Sequence, residues 1–198
     1  MTTARDLAIV ALGGASGRTV EQGELSLALA GAEVLDLVAA RAVTVEGDRL
    51  VPGAPSLTGD GLLDEAASAL VREEPYESAE DWLWRRGRGL STAYTDELER
   101  VGLAVARRGR RSPLPTGRTQ LVDSAARRTA EERWEAAEPV LAALGAAAGL
   151  RDEPAGEPTD ETLLTVLVAV GTAVQELQAV RQRRAVENAA FDNIWRGL

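Results

Sequence analysis

The sequence DETLLTVLVAVGTAVQEL, residues 160–177, carries the strongest helical pattern in the chain. Its apolar residues recur at intervals of three and four and share one helical face: Leu163, Leu167, Val170, Val174 and Leu177. Thr159 or Asp160 is suited to cap the first turn. The strongly apolar part, residues 163–174, is shorter than the roughly 20 residues of a membrane span. We therefore predict a buried helix at the centre of the fold.

Further helices are predicted on the N-terminal side of this segment. Thr19 and Gln22 fit a capping box, and the helical spacing that follows extends to Arg41. Because Gly31 interrupts this region, we predict two packed helices within it. Asp60 and Ser78 are suited to cap later helices. Pro113, Pro115 and Gly117 then prevent a helix until about Asp123 or Ser124.

Two features of the remaining chain indicate local β-structure and a divided helix. The runs 43–45 and 49–51 favour strands and flank a turn at Gly47, which predicts a hairpin. The helical spacing after Leu90 is expected to run into residues 107–111, and Pro139 should kink or divide a later helix. The fold class is therefore all-α: one mostly helical domain, residues 1–198, around a central buried helix with one or two small β-hairpins.

The composition removes several kinds of chemistry. The chain has no His, Cys or Lys, so the commonest general base, the thiol nucleophile, the Schiff-base amine and most zinc ligands are missing. We expect no enzymatic activity, no cofactor and no metal. Since no segment resembles a signal peptide and no cysteine is present, a cytoplasmic location is expected, or a peripheral one on the inner face of the membrane.

Positive charge is concentrated in one part of this acidic chain. Residues 85–128 contain eleven arginines and four carboxylates, whereas the whole chain has a net charge of −9. Arginine donates two hydrogen bonds to phosphate oxygens and stays charged at any working pH, so the cluster favours an anionic partner. The candidate headgroup-binding residues are Arg85, Arg86, Arg88, Arg100, Arg107, Arg108, Arg110 and Arg111. A solvated face that compensates nearby acids is the alternative.

Three other groups of residues could carry a function. Trp82 and Trp84 precede the first arginines and could lie at a membrane interface, although two residues two apart on a helix cannot share a face. Asp60 and Asp64 could do acid–base chemistry or hold a divalent cation, but helix capping and the helix dipole explain them without any function. Residues 19–51 have the outline of a winged helix, yet the candidate recognition helix is acidic, so no nucleic acid partner is expected.

The segment TGDGLLDEA, residues 58–66, resembles the Golgi phosphoprotein 3 family. Residues 6–13, 29–38 and 160–169 are similar to other family helices in the same order. The arginine-only, Ala-rich and Gly-rich composition favours a bacterial, actinobacterial member. The resemblance implies a mostly helical single domain without catalysis that binds membranes peripherally.

The resemblance also implies a binding site. Eukaryotic members recognise phosphatidylinositol 4-phosphate and act as adaptors for Golgi glycosyltransferases. Their headgroup site uses a tryptophan and several arginines, whose positions fall near Glu21, Ala30, Glu97 and Arg100 of this chain. The family's membrane-inserting hairpin tip corresponds to residues 111–121.

Two hypotheses follow from these observations. The first is a non-enzymatic peripheral membrane protein that binds an anionic phospholipid or phosphoinositide-like headgroup through the arginine-rich face, with a protein client as a further possible partner. The second is a cytoplasmic helical scaffold that forms a homo-oligomer and binds an acidic protein partner.

Overall fold

A computed structural model describes residues 2–54, 57–108, 115–152, 156 and 159–196. The helices in these ranges are α1 (Thr3–Gly13), α2 (Gln22–Ala39), α3 (Gly61–Ala69), α4 (Ala79–Arg86), α5 (Leu90–Arg100), α6 (Ala125–Glu135), α7 (Pro139–Ala147) and α8 (Glu161–Arg196). The strands β1 (Val43–Glu46) and β2 (Arg49–Pro52) form one antiparallel hairpin, and β3 (Ala104–Arg108) and β4 (Pro115–Leu121) form another. The predicted mostly helical class with small hairpins is confirmed.

Side-chain caps begin α3, α4, α6 and α8, and three of these caps, at Asp60, Ser78 and Asp160, were predicted from the sequence. In each case a side-chain oxygen accepts a hydrogen bond from the backbone N–H three residues later, which satisfies a donor that the first helical turn leaves free. The donor-to-acceptor distances are 3.4 Å at Asp60, 3.0 Å at Ser78, 3.1 Å at Ser124 and 2.7 Å at Asp160. Short polar residues therefore fix the starts of α3, α4, α6 and α8.

The prediction of two helices between residues 19 and 41 is wrong, because α2 continues through Gly31 without a break. A Cβ at position 31 would lie 2.5 Å from Cγ2 of Val170, so glycine is needed there for α8 to approach closely. The predicted capping box also fails. Glu21 occupies the N-cap of α2, and its side chain makes no capping hydrogen bond.

The predicted helix from residue 90 to the arginines at 107–111 is wrong beyond Arg100. Gly102 adopts a φ of 75°, a left-handed conformation that ends α5 and directs the chain into β3. The strand pairs with β4, with Ala104 opposite Leu121 and an irregularity between Ala106 and Arg108. Val105 is 53% exposed, so its apolar side chain does not belong to a buried helical face.

Pro139 divides the helical region as predicted, because it is the first residue of α7. Proline is tolerated there since its missing N–H would have no helical partner. Ala137 turns the chain with a φ of 52°, and Glu138 caps the new helix through the N–H of Leu141.

Helix α8 packs against α2, α4 and α7, but only one of its faces is buried. Val166, Val170 and Ala173 lie in the core, whereas Leu164 is 41% exposed and Val168 is 66% exposed. The prediction of a buried helix is therefore correct for the inner face and wrong for the outer one. By length and composition, Glu161–Asn188 could also cross a membrane, a criterion that the core helices of soluble proteins meet as well.

Candidate anion-binding site

Most predicted binding arginines whose side chains are described are already engaged by carboxylates. Nε of Arg85 lies 2.6 Å from Glu77, and its guanidinium stacks 5.1 Å from the centre of the Trp82 ring. Nε of Arg100 lies 2.6 Å from Glu97, one helical turn away. These two arginines are exposed, so they remain predicted binding residues, but each is locally neutralised.

Arg86 belongs to a buried network and not to a binding face. It donates from Nε and Nη2 to the two oxygens of Glu33, at 2.8 and 3.0 Å, and from Nη1 to Glu65 at 2.6 Å. Tyr94 donates its hydroxyl to Glu33 at 3.2 Å. The Glu33 side chain is fully buried and that of Arg86 is 10% exposed. The predicted headgroup role of Arg86 is therefore wrong.

The ionisation of this network follows from its burial. Burial raises the pKa of Glu33 above its ordinary value, although the bonds from Arg86 and Tyr94 act in the opposite direction. Burial by itself would lower the pKa of Arg86, but Glu33 and Glu65 raise it, so the guanidinium stays charged. Burial and the nearby Glu33 also raise the pKa of Tyr94, which keeps its hydroxyl a donor. The network thus holds one compensated positive charge within the core.

Most arginines of residues 85–128 whose side chains are described have their charge compensated in three dimensions. Glu33, Glu65 and Glu77 come from outside residues 85–128 and pair with arginines inside that segment. Arg127 and Arg128 have their own partners, Glu131 and Asp123. The first part of the segment therefore carries much less free positive charge than its sequence indicates.

Several predicted residues cannot be assigned a side-chain position. Arg110 and Arg111 lie outside the described residues, as does the first part of the family's hairpin tip. Arg107 and Arg108 are placed only as backbone in β3. Their role in binding remains a prediction.

The two neighbouring tryptophans have different environments. Trp82 is fully buried, and its Nε1 donates to the carbonyl of Ala30 at 3.2 Å, so the prediction that Trp82 lies at a membrane interface is wrong. Trp84, on the other side of α4, is half-buried and lines a surface pocket. Trp134, on α6, is also buried in the core.

This pocket, with a volume of about 310 Å³, lies where α2 and α5 begin. Its walls come from several parts of the chain. Helix α2 contributes Gly23 and Ser26, and α4 contributes Trp84. Arg88 lies in the turn after α4, while Ser91 belongs to α5 and Leu177 to α8. Arg88 is exposed and makes no ion pair within the described ranges. A neighbouring pocket of about 340 Å³ shares Gln22, Ser91 and Thr92 and continues towards α1. The pocket therefore combines a free guanidinium with hydroxyls and an aromatic wall.

The start of α2 adds hydrogen-bond donors to this pocket. The N–H groups of Gln22, Gly23 and Glu24 have no acceptor in the described parts of the chain, and the N-cap residue supplies none. Free amides at a helix N-terminus, together with the helix dipole, favour an anion. The start of α5 differs, because Ser91 donates its N–H to Oγ of Ser26. Arg88 and the first turn of α2 are thus the donors available to a ligand.

Two carboxylates near the pocket, Glu21 and Glu24, oppose anion binding, and both lie within ion-pair distance of Nη1 of Arg181, at 3.9 and 3.3 Å. Glu24 accepts from Nη1 of Arg181 at 3.3 Å and from Gln178 at 3.2 Å, both on α8. A Cβ at position 23 would lie 2.8 Å from Nη2 of Arg181 and 2.8 Å from Cδ2 of Leu177. Glycine at this position allows Arg181 to lie close to the start of α2.

The positions that the family resemblance indicated are divided between the pocket and the rest of the molecule. Glu21 is the N-cap beside the pocket, whereas Ala30 lies in the core. Glu97 and Arg100 bind each other near the end of α5. Sequence reasoning included Arg88 among eight arginines but did not single it out. The signal was its position between Gly87 and Gly89, which places it in the turn between two helices.

The paired carboxylates at the start of α3 have local structural partners. Asp60 caps the helix and pairs with Arg5 at 2.7 Å, while Asp64 accepts from the N–H and Oγ1 of Thr58 at 2.6 and 2.7 Å. These bonds lower the pKa of Asp64. Within the described residues, no group of three or more acidic side chains is arranged to hold a metal ion.

Comparison with known proteins agrees with the resemblance seen in the sequence. The family described as Golgi phosphoprotein 3 (GPP34) matches residues 4–196, nearly the whole chain. Among curated proteins, none matches the chain.

Proposed function

Because this chain belongs to the Golgi phosphoprotein 3 family, we propose that it is a non-enzymatic peripheral membrane protein that binds a phosphorylated, anionic lipid headgroup. The proposed site is the pocket at the start of α2, with Arg88 as its principal cation and Trp84 as its aromatic wall. A cytoplasmic location, on the inner face of a membrane, is part of the same proposal.

The observation that carries the proposal is the difference between Arg88 and its neighbours. Arg85, Arg86 and Arg100 have carboxylate partners at 2.6 to 2.8 Å, whereas Arg88 has none in the described chain and lies on a pocket. An unpaired guanidinium can form two parallel hydrogen bonds with a phosphate group. The free amides of Gln22 and Gly23, which line the pocket, can donate to further oxygens of the same group.

The charge balance of the chain supports a local mode of binding. With a net charge of −9, the protein as a whole is repelled by an anionic bilayer, so attraction must come from a small region. A pocket with one free arginine selects a headgroup better than a broad basic face would. Arg85 and Arg100 can add weak attraction, screened within a Debye length of about 8 Å at physiological salt.

Vesicle co-sedimentation tests the proposal with matched arginine variants. We expect the wild type to bind vesicles that contain phosphatidylinositol 4-phosphate. Arg88→Ala should weaken binding about fivefold, since one arginine near an anionic surface contributes about 1 kcal/mol. Arg100→Ala removes the same charge from a site that Glu97 neutralises, so its effect should be much smaller.

Further vesicles distinguish headgroup recognition from general attraction. Phosphatidylserine vesicles of equal surface charge should bind less protein, and soluble inorganic phosphate should compete with the phosphoinositide vesicles. Equal losses for Arg88→Ala and Arg100→Ala would contradict a pocket site. Absence of any lipid dependence at low salt would contradict the proposed function.

A further inference from the structure

Helix α8 extends beyond the body of the protein. Its 36 residues span about 54 Å at 1.5 Å per residue. Arg181 still contacts α2 through Glu24, but residues 182–188 are all exposed. A helical segment without tertiary contacts is marginal in water, so this part of α8 would gain stability from a partner.

The outward face of α8 has the spacing of a helix-pairing seam. Its exposed positions alternate at intervals of four and three residues: Val168, Thr172, Gln175, Ala179, Gln182 and Val186. This is the alternation of the contact positions in a coiled coil. All six side chains are uncharged, and the small Ala179 near the middle allows a second helix to approach closely. The face is therefore suited to contact another helix.

Two charges on one edge of this seam indicate the identity and direction of the partner. Glu176 and Arg183 each directly follow a seam position and lie seven residues apart, and neither has an ion pair among the described residues. In an antiparallel pair with a two-fold axis between them, Glu176 of each copy lies opposite Arg183 of the other. In a parallel pair, Glu176 would lie near Gly171 instead. The edge is thus complementary to itself in the antiparallel direction only.

We propose that the chain forms an antiparallel homodimer through the outward face of α8. The seam is polar at Thr172, Gln175 and Gln182, so the association is weak and depends on concentration. Each copy supports the protruding segment of the other. This proposal does not depend on headgroup binding, because the seam and the pocket lie on different sides of α8.

Sedimentation equilibrium from about 1 to 300 µM tests the homodimer. We expect a monomer and dimer equilibrium for the wild type. Ala179→Glu, which introduces charge at an exposed seam position, should leave a monomer over this range. Circular dichroism at the lowest concentration, where the wild type is also monomeric, should be the same for both proteins, since Ala179 is exposed and contributes nothing to the core of its own copy.

A charge exchange tests the antiparallel direction. Arg183→Glu replaces two attractive contacts by two repulsive ones and should weaken dimerisation about tenfold at low salt. Glu176→Arg should have a similar effect, and the double exchange should restore the wild-type constant. The matched control is Arg184→Glu, which makes the same change of charge on the opposite face and should have little effect.

Three results would overturn the proposal. The wild type could be monomeric at every concentration, Ala179→Glu could leave the dimer intact, or the double exchange could fail to restore association. Binding of the monomeric protein to phosphatidylserine vesicles through the α8 seam would also overturn it. A failure of the headgroup proposal can be told apart from a failure of the dimer proposal. Arg88→Ala, which should lose vesicle binding, should dimerise like the wild type.

Discussion

Arg86 and Arg88 are two residues apart, yet they lie in opposite environments. Arg86 bonds to two carboxylates and a backbone carbonyl beneath the surface of the protein. Arg88 follows Gly87, lies in the turn that begins α5 and is exposed at the pocket. The last residue of α4 thus stabilises the fold, whereas the arginine in the turn after it is free to bind.

The comparison shows why a count of charges along a sequence overstates a binding face. A guanidinium that is held by Glu33 presents little field outside the protein, however basic its neighbours are. The exposed arginine without a partner decides where an anion can bind. The two classes should respond differently to substitution, which the following predictions examine from the largest effect to the smallest.

The largest difference is expected between Arg86→Ala and Arg88→Ala in stability. Removing Arg86 leaves the carboxylate of Glu33 buried without its cation, which should lower the free energy of unfolding by about 3 to 5 kcal/mol. Arg88→Ala should change it by less than about 0.5 kcal/mol. Urea unfolding monitored by circular dichroism measures both values. Adding Glu33→Gln to Arg86→Ala should restore part of the lost stability. Equal losses for the two single variants would contradict the different roles of Arg86 and Arg88.

A smaller contrast is expected between the two tryptophans of α4. Trp82→Phe leaves the carbonyl of Ala30 without its donor and creates a small cavity, so it should cost about 1 to 3 kcal/mol of unfolding free energy. Trp84→Phe keeps most of the apolar wall of the pocket and should cost less than about 1 kcal/mol. Thermal unfolding and phosphoinositide vesicle binding measured on both variants would separate a core role from a pocket role. A larger stability loss for Trp84→Phe would reverse the assignment.

The smallest effect concerns pH and Asp36, a half-buried acid on α2. Burial raises the pKa of Asp36 above its ordinary value of 3.8, although the N–H groups of Thr3 and Ala4 act in the opposite direction. Between the two values the folded protein binds more protons than the unfolded chain, so this contribution to stability is full below 3.8 and lost as pH rises through the folded pKa. The wild type should therefore gain stability relative to Asp36→Asn as pH falls from about 7 to 4. Urea unfolding across this range measures the difference, and the opposite slope would contradict the raised pKa.

Local signals in the sequence were sufficient for much of the fold. Asp60 and Ser78 predicted helix starts because a capping oxygen acts within three residues. Gly31 misled because glycine permits close packing as readily as it breaks a helix, and the contact with Val170 spans more than a hundred residues. Val105 misled because a single apolar residue fits both helical and strand periods.

The candidate site was less accessible to sequence reasoning than the fold. The partner of Arg86 lies 53 residues away, so the sequence could not show that its charge was compensated. Arg88 could be recognised as distinct only after its neighbours had been paired. The pocket combines α2, α4, α5 and α8, and its shape depends on packing between helices that are distant in the chain.

Gly23 lies between the pocket and the middle of α8. It forms a wall of the pocket, and its missing side chain is the space into which Leu177 and Arg181 of α8 fit. A ligand that pulls the first turn of α2 towards itself would therefore shift the point on which α8 rests. This contact lies just before the protruding segment. If α8 rotates about it as a rigid body, a small movement at the pocket becomes a larger displacement at the C-terminal end of the helix.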